Sequence, residues 1–341
     1  MTNNTFCLEF GESYLKLVRA KLSNNIIEAD SFGYVEINPA FYTSDTEKVL
    51  DDHAALIQKL INNLKIKDKN ASVIIPDAYS YSQILEMPKL NEKELISAIK
   101  YQADQFIPMP IEETTIDIEI LSENKQTNKI MVLMVASAKK TIEKIQKTVE
   151  IAGLIPDSIE NELSGYSRFI TNAFKNIKLD KGILFINLSL KTTSIYYYDP
   201  RVFLITQTRN FSTGFYIFLK EICLNLNLSN KQALELLQSF TTETKSSMPV
   251  ELTITPVVKA FTTEIKRFLN VLVQKNQLPV GNILFMNDSY RIPSLPKIIE
   301  KHIQVPCSQI NIYDLLKKTP AVETYKNILP LFVSTIGGNL R

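Results

Sequence analysis

Residues 183–198, ILFINLSLKTTSIYYY, read as two strands joined by a polar turn, with Thr192 and Thr193 at its exit. β-Branched and aromatic runs on either side of a short Ser/Lys/Thr turn are the pattern of a β-hairpin. Working outward, Asp199-Pro200 turns into a third strand over 202–208. A helix opens after Gly214, with Phe215, Phe218, Leu219 and Ile222 on one side. Further helices are expected at 229–239 and 255–276, the latter through Val258, Ile265, Phe268, Leu269 and Leu272. A strand at 282–286 and a helix at 292–303 follow.

The N-terminal part has the same order. Strands are expected at 6–10 and 14–18, around a Gly11-Glu12-Ser13 turn, and a third lies within 26–37. A helix over 46–64 carries Val49, His53, Leu56, Ile57, Leu60 and Leu64 at helical spacing. A strand at 71–75 is stopped by Pro76. The unit strand-strand-strand-helix-strand thus occurs twice, without clear identity between the copies. This predicts a duplicated α/β fold with a cleft between its halves.

Between the copies lies an insertion at 78–155. Asn91 with Glu94 three residues on reads as a capping box for a helix whose stripe is Leu95, Ile96, Ile99, Ala103 and Phe106. Ile107-Pro108-Met109-Pro110 ends it. Residues 115–120 alternate strictly, so Asp117 and Glu119 are expected on the wet face of a strand rather than as an acid–base pair. Residues 130–136 read as a buried strand, with Met131 and Met134 as core, and 139–152 as a helix capped by Gly153. Lys139 and Lys140 are expected in solvent. A two-layer subdomain with a half-exposed sheet is suited to docking.

Bulk composition narrows the function. Composition is 45% hydrophobic and 22% charged, which argues for a globular chain; the net charge of +2 argues neither for nor against nucleic acid, since only a concentrated basic face would, and Lys65-Ile66-Lys67-Asp68-Lys69 reads as a solvated connection, so no nucleic acid is expected as a partner. Cys7, Cys223 and Cys307 lack any CxxC spacing, which fits a reducing compartment; Cys7 and Cys223 are expected to be buried thiols. His53 and His302 are expected at surface or capping positions, so no metal site is expected. No signal peptide is visible at the start. The longest apolar run, 130–136, falls short of the ~18 residues of a spanning helix, so a cytoplasmic location is expected. There are 9 glycines, against an average usage of ~7%, which makes a poor phosphate-binding chain. Tyr196, Tyr197 and Tyr198 are read as strand formers, not a base-stacking platform.

The insertion carries a specific resemblance. Met87-Pro88-Lys89-Leu90 leads into the helix, and Lys100-Tyr101-Gln102-Ala103-Asp104-Gln105-Phe106-Ile107-Pro108 leaves it. With Val135-Ala136-Ser137-Ala138-Lys139 and Ile151-Ala152-Gly153-Leu154-Ile155-Pro156, these stretches resemble the PilM family of actin-like cytoplasmic pilus proteins, relatives of the division protein FtsA. The resemblance runs nearly end to end. It implies an α/β, actin-like (duplicated ribonuclease H-like) bilobed fold with a small inserted α+β subdomain. The implied limits are 1–77 for the first lobe, 78–155 for the docking insertion and 156–180 for the return to the first lobe. The second lobe takes 181–324, and 325–341 form a C-terminal helix packing on the first lobe.

The resemblance also implies a role. A PilM-like protein binds the N-terminal cytoplasmic segment of a PilN-like bitopic protein, and so sits at the inner membrane through its partners. It ties that protein to a motor ATPase and platform protein, and a homo-oligomer is compatible. The groove would lie between the first lobe and the inserted subdomain, walled by 92–106 and 107–120, with Ile99, Ala103, Phe106, Ile107, Pro108, Ile116 and Ile118 as its candidates.

Actin-like ATPases clamp phosphate with two hairpins and a glycine-rich turn. The first pattern, D-x-G-x-x-x-x-K, falls on Glu9 to Lys16, keeping Gly11, Ser13 and Lys16 but replacing the aspartate by Glu9 and adding Glu12. The second, D-x-G-x-x-x-T, falls on Asn187 to Thr193: Asn187 and Ser189 replace acid and glycine, while Thr192 and Thr193 remain. The glycine-rich turn is Asn287-Asp288-Ser289, and Gly214 is kept. The expectation is a degraded cleft with no catalytic residue and no metal, ATP with Mg²⁺ being bound only if the cleft works. The adaptor reading is set against a nucleotide-switched assembly ATPase of the same machine. A more remote FtsA-like reading would require an amphipathic membrane helix at the C-terminus, where the chain shows Asn339-Leu340-Arg341.

Overall fold

The computed structural model describes residues 5–107, 109–241 and 249–341. In chain order the elements are β1 (Phe6–Phe10), β2 (Tyr14–Ser23), β3 (Ile26–Glu36), α1 (Glu47–Leu64), β4 (Asn70–Ile75), β5 (Ser80–Pro88) and α2 (Glu92–Phe106). Then come β6 (Thr114–Asn124), β7 (Lys129–Ala138), α3 (Lys139–Ile151), β8 (Ile155–Asn161) and α4 (Glu162–Phe174). The remainder is β9 (Gly182–Leu188), β10 (Thr193–Asp199), β11 (Leu204–Phe211), α5 (Phe215–Leu226), α6 (Asn230–Ser239), α7 (Val250–Asn270), β12 (Val280–Asn287), α8 (Leu295–Ile303) and β13 (Cys307–Gln309). Two compact units result: Met1–Lys21 with Ala29–Phe169 and Ser334–Arg341, and Leu22–Glu28 with Ile170–Val333. The division runs through α4 and the tip of the β2–β3 hairpin, whereas the sequence placed it at 180 and 325.

In the first unit the sheet order is β3-β2-β1-β4-β8. β1 is antiparallel to β2 and parallel to β4, and every residue of β1 is buried. That suits a central strand covered on both faces, which reads as a continuous apolar run rather than an alternation. Val49, Ala54, Ile57 and Leu60 of α1 and Ile145 and Val149 of α3 join Phe6, Leu8 and Phe10 in one core. Each of the Val, Ile, Leu and Phe side chains contributes about 1.5–3 kcal/mol by leaving water. The helix expected to close the insertion therefore lends its apolar face to the first sheet. His53 belongs to this buried face too, with no exposed surface, which corrects its surface assignment. Its Nδ1 bonds the Val49 carbonyl at 2.7 Å, one helical turn back, and its ring packs 4.4 Å from that of Phe41. Cys7 and Cys307 are buried and Cys223 is half-buried, so the expected buried pair is corrected at Cys223.

The insertion is a three-stranded antiparallel sheet, β5-β7-β6, with α2 on one face. Asn91 and Glu94 form the expected capping box, each backbone N–H donating to the other's side chain at 3.2 and 3.0 Å. Leu95 and Ile99 of α2 pack on Met87, Ile130, Val132, Met134 and Ala136. Met131 is only half-buried, because it points to the other face of β7.

The second unit repeats the first sheet's order as β11-β10-β9-β12-β13. Tyr196, Tyr197 and Tyr198 are all buried. α7 starts at Val250, five residues before the sequence reading, and carries Pro256 inside it. Proline removes one ladder bond there, but burial of Val250, Ile254, Val257, Val258 and Phe261 outweighs that loss.

Candidate functional site

The first hairpin sets Glu9 directly opposite Lys16. Facing residues of an antiparallel pair project to the same side, and here the ammonium of Lys16 pairs with Glu9 Oε1. Both side chains are buried, 2% and 0% exposed. Glu9 Oε2 accepts from Ser334 Oγ and from Thr335 Oγ1, both at 2.5 Å, in the closing helical turn Val333–Gly337. Gly11 N–H donates to Tyr14 O at 2.9 Å, and a Cβ on Gly11 would stand 2.7 Å from that same carbonyl. The glycine is thus accounted for by the tight turn. Ser13 lends its backbone carbonyl to Ile37 N–H.

Around this pair the first unit collects carboxylates. Glu12 and Asp77 are buried, and Glu162 opens α4 with 2% of its surface exposed. Asp77 N–H donates to Glu162 Oε2 at 3.1 Å, and Leu163 N–H donates to Asp77 Oδ1 at 3.3 Å. Burial, then Glu9 and then Asp77, push the Glu162 carboxyl well above the usual range, and Lys16 opposes them. Burial, with Glu162 and Glu9, likewise raises the Tyr166 phenol.

The second unit treats its hairpin the same way. Asn287 Nδ2 donates to Asn187 Oδ1 at 2.9 Å and to Ser189 Oγ at 3.2 Å. Ser189 Oγ and Asn187 Oδ1 are 3.4 Å apart, and Asn187 Nδ2 reaches the Tyr196 hydroxyl at 3.4 Å. Asn287 sits at φ 58°, ψ −134°, a conformation that favours glycine. Thr192 gives its backbone carbonyl to Ser189 N–H, and Thr193 Oγ1 donates to Thr213 O at 2.6 Å. The first N–H groups of α5 are those a phosphate would seek. They bond the hairpin instead: Phe215 N–H to Ser189 O and Tyr216 N–H to Leu190 O, each at 2.8 Å. Gly214 permits this, since a Cβ there would lie 2.5 Å from Leu190 O and from the Lys191 carbonyl carbon. Asp288 pairs with Arg291 at 3.1 Å, whose guanidinium lies 5.0 Å over the Phe215 ring. Ser289 and Gln309 exchange two hydrogen bonds, at 2.7 and 2.8 Å.

Gly11, Ser13 and Lys16 thus fall in one unit, and Asn187, Thr192, Thr193, Gly214 and Asp288 in the other. Among the described residues no group of three or more His, Cys, Asp or Glu side chains is placed to hold a metal ion.

The insertion offers a different feature. A groove of about 640 Å³ runs between α2 and β6, lined by Leu90, Leu95, Ile96, Ile116, Asp117, Ile118 and Ile120. β6 is an edge strand, and its Ile116, Ile118 and Ile120 face Ala136, Met134 and Val132 across the ladder. α2 covers this face incompletely, so Ile96 and Ile120 remain 38% and 55% exposed. Ile116 and Ile118 therefore line the groove. Ile99 and Ile107 do not: both are buried in the core beneath α2. Pro108 and the side chains of Ala103 and Phe106 lie outside the described residues. Leu90, Leu95, Ile96 and Ile120 complete the lining without having been singled out. The signal was present in the third isoleucine of the 116–120 alternation and in Ile96, which the stripe included but which remains 38% exposed.

Two comparisons place the fold. A solved structure described as the PilM-PilN type IV pilus biogenesis complex superposes with a TM-score of 0.83 at 18% identity, covering 98% of each chain. The ethanolamine utilization protein EutJ from Carboxydothermus hydrogenoformans superposes with a TM-score of 0.53 at 12% identity, covering 98% of this chain and 88% of that one. The fold is the actin-like one, carrying a small α+β insertion. No helix among the described residues is long and apolar enough to cross a membrane. Residues 7–331 match the family described as type IV pilus assembly protein PilM, and the chain belongs to that family.

Proposed function

We propose that this protein is an adaptor at the cytoplasmic face of the inner membrane, in a pilus assembly complex or a related secretion or DNA-uptake machine. Its α2–β6 groove takes the N-terminal cytoplasmic segment of a PilN-like bitopic protein, and the rest of the chain couples that segment to the motor ATPase and platform protein. The groove is the observation that carries this reading: a concave apolar surface beside an open strand edge, on a family member whose solved relative is named together with PilN. Two or three apolar anchors would each contribute about 1.5–3 kcal/mol on burial, which suits peptide recognition.

The reading includes a nucleotide site given over to structure. What supports it is that Lys16 neutralises Glu9, and that the α5 N–H groups and the Asn187–Ser189–Asn287 amides bond one another. The test is calorimetry on the purified protein with Mg-ATP, and separately with the N-terminal cytoplasmic peptide of a PilN-like bitopic protein from the same genome. Saturable peptide heat with none from millimolar ATP is expected. Micromolar ATP binding would overturn the nucleotide part, and absence of peptide binding the adaptor part.

A further inference from the structure

Along the lip of the groove, the Ile118 N–H donates to the Asp117 carboxylate at 2.8 Å. An N–H bonded to a side chain of its own strand is not spent on the neighbouring strand. Since N–H direction alternates along an antiparallel strand, those of Ile116 and Ile120 share its outward aim. β6 has β7 on one side only. An edge N–H covered by a local carboxylate is a recognised way to discourage pairing with stray strands. It also marks where pairing would occur once the carboxylate is drawn elsewhere. Asp117 and the exposed Glu119 have no cation partner among the described residues, whereas Glu123, further along β6, is paired with Lys89 at 2.6 Å. The lip is therefore apolar on its inner side and uncompensated acid on its outer.

We propose that the partner segment docks as an extended strand on the outer edge of β6. Alternate apolar side chains then enter the groove, and a Lys or Arg of the segment draws Asp117 off the Ile118 N–H. This rests on the groove being the peptide site, and it names the chemistry that the site selects. Segments just cytoplasmic of a spanning helix carry an excess of Lys and Arg. Such a partner brings its cations to this lip, while an acidic or neutral apolar strand leaves Asp117 and Glu119 unpaired and Ile118 capped. Asp117 is then both guard and reader.

The experiment uses the full chain and the N-terminal cytoplasmic peptide of the same PilN-like bitopic protein. The variants are Asp117→Asn, which removes the charge but keeps an acceptor for Ile118, and the double Asp117→Lys/Glu119→Lys. Both positions are exposed, and circular dichroism checks that the fold is kept. Two exposed pairs turned repulsive should weaken binding on the order of tenfold, with a smaller loss in Asp117→Asn. A peptide with its Lys and Arg changed to Glu should bind the double Lys variant better than it binds the wild type. Hydrogen exchange should show the Ile116, Ile118 and Ile120 amides protected on binding. Unchanged affinity in the double variant, or no protection at Ile118, overturns strand docking with charge reading while the adaptor reading stands. A wild-type chain that does not bind the peptide overturns both.

Discussion

Replacing Lys16 by Met tests whether the first hairpin is a structural element or a waiting phosphate clamp. Lys16 is 2% exposed and Glu9 fully buried, so the ammonium is the local counter-ion of a carboxylate that water cannot reach. Removing it leaves Glu9 with two hydroxyl donors, Ser334 and Thr335, and with Asp77 and Glu162 nearby. Breaking one side of a buried pair costs about 3–5 kcal/mol, because the remaining charge is uncompensated. The double variant Glu9→Gln/Lys16→Met removes both charges while Gln keeps an acceptor for the two hydroxyls. It should recover all but about 1–2 kcal/mol of the loss. Urea titration followed by circular dichroism reads this as a midpoint that falls in the single variant and returns in the double. A loss under about 1 kcal/mol for Lys16→Met would refute the counter-ion argument. It would mean that the ammonium spends its time in water, where a phosphate could recruit it.

Three further outcomes follow from named contacts. His53 is buried with its Nε2 unpartnered among the described residues, and burial holds its pKa below the ordinary 6.5. The unfolded chain then binds a proton that the folded chain refuses, so stability should fall as pH drops below about 6.5 and level off below the folded value. In His53→Phe the urea midpoint should lose that part of its pH slope, and an unchanged slope would sink the assignment. Gly214→Ala puts a methyl 2.5 Å from the hairpin backbone and should cost about 1–3 kcal/mol through the Phe215 and Tyr216 bonds, without altering peptide affinity. Ile96→Glu, on the exposed lip of α2, should weaken peptide binding more than tenfold while stability stays within about 1 kcal/mol, since Ile96 is already 38% exposed. Peptide binding that survives Ile96→Glu would move the site away from this groove.

What the sequence made legible was what local chemistry decides. The Asn91–Glu94 box fixes the start of α2, and the alternation over 115–120 announces a strand with one wet face, because both depend on neighbours within a few residues. The repeated strand-strand-strand-helix-strand order is legible for the same reason. His53 was misplaced by its residue type, although its spacing with Val49, Ile57 and Leu60 already set it on the buried face. The meaning of the kept motif residues was not legible at all. Lys16 reads as a phosphate ligand until Glu9 is found opposite it, and Glu9 reads as a weakened metal ligand until Ser334 and Thr335 arrive from the far end of the chain. Gly214 reads as a phosphate-loop glycine until the hairpin carbonyls are seen where its Cβ would be.

These cases share one cause. A motif records which groups are present, while function depends on whether those groups are already spent, and the groups that spend them are often far away in sequence. Here Glu9, Asn187, Ser189 and Asn287 each bond a neighbour within their own unit. Contacts of this kind tie the stability of each hairpin to its own side chains, which is why a single substitution such as Lys16→Met is expected to be read in the urea midpoint.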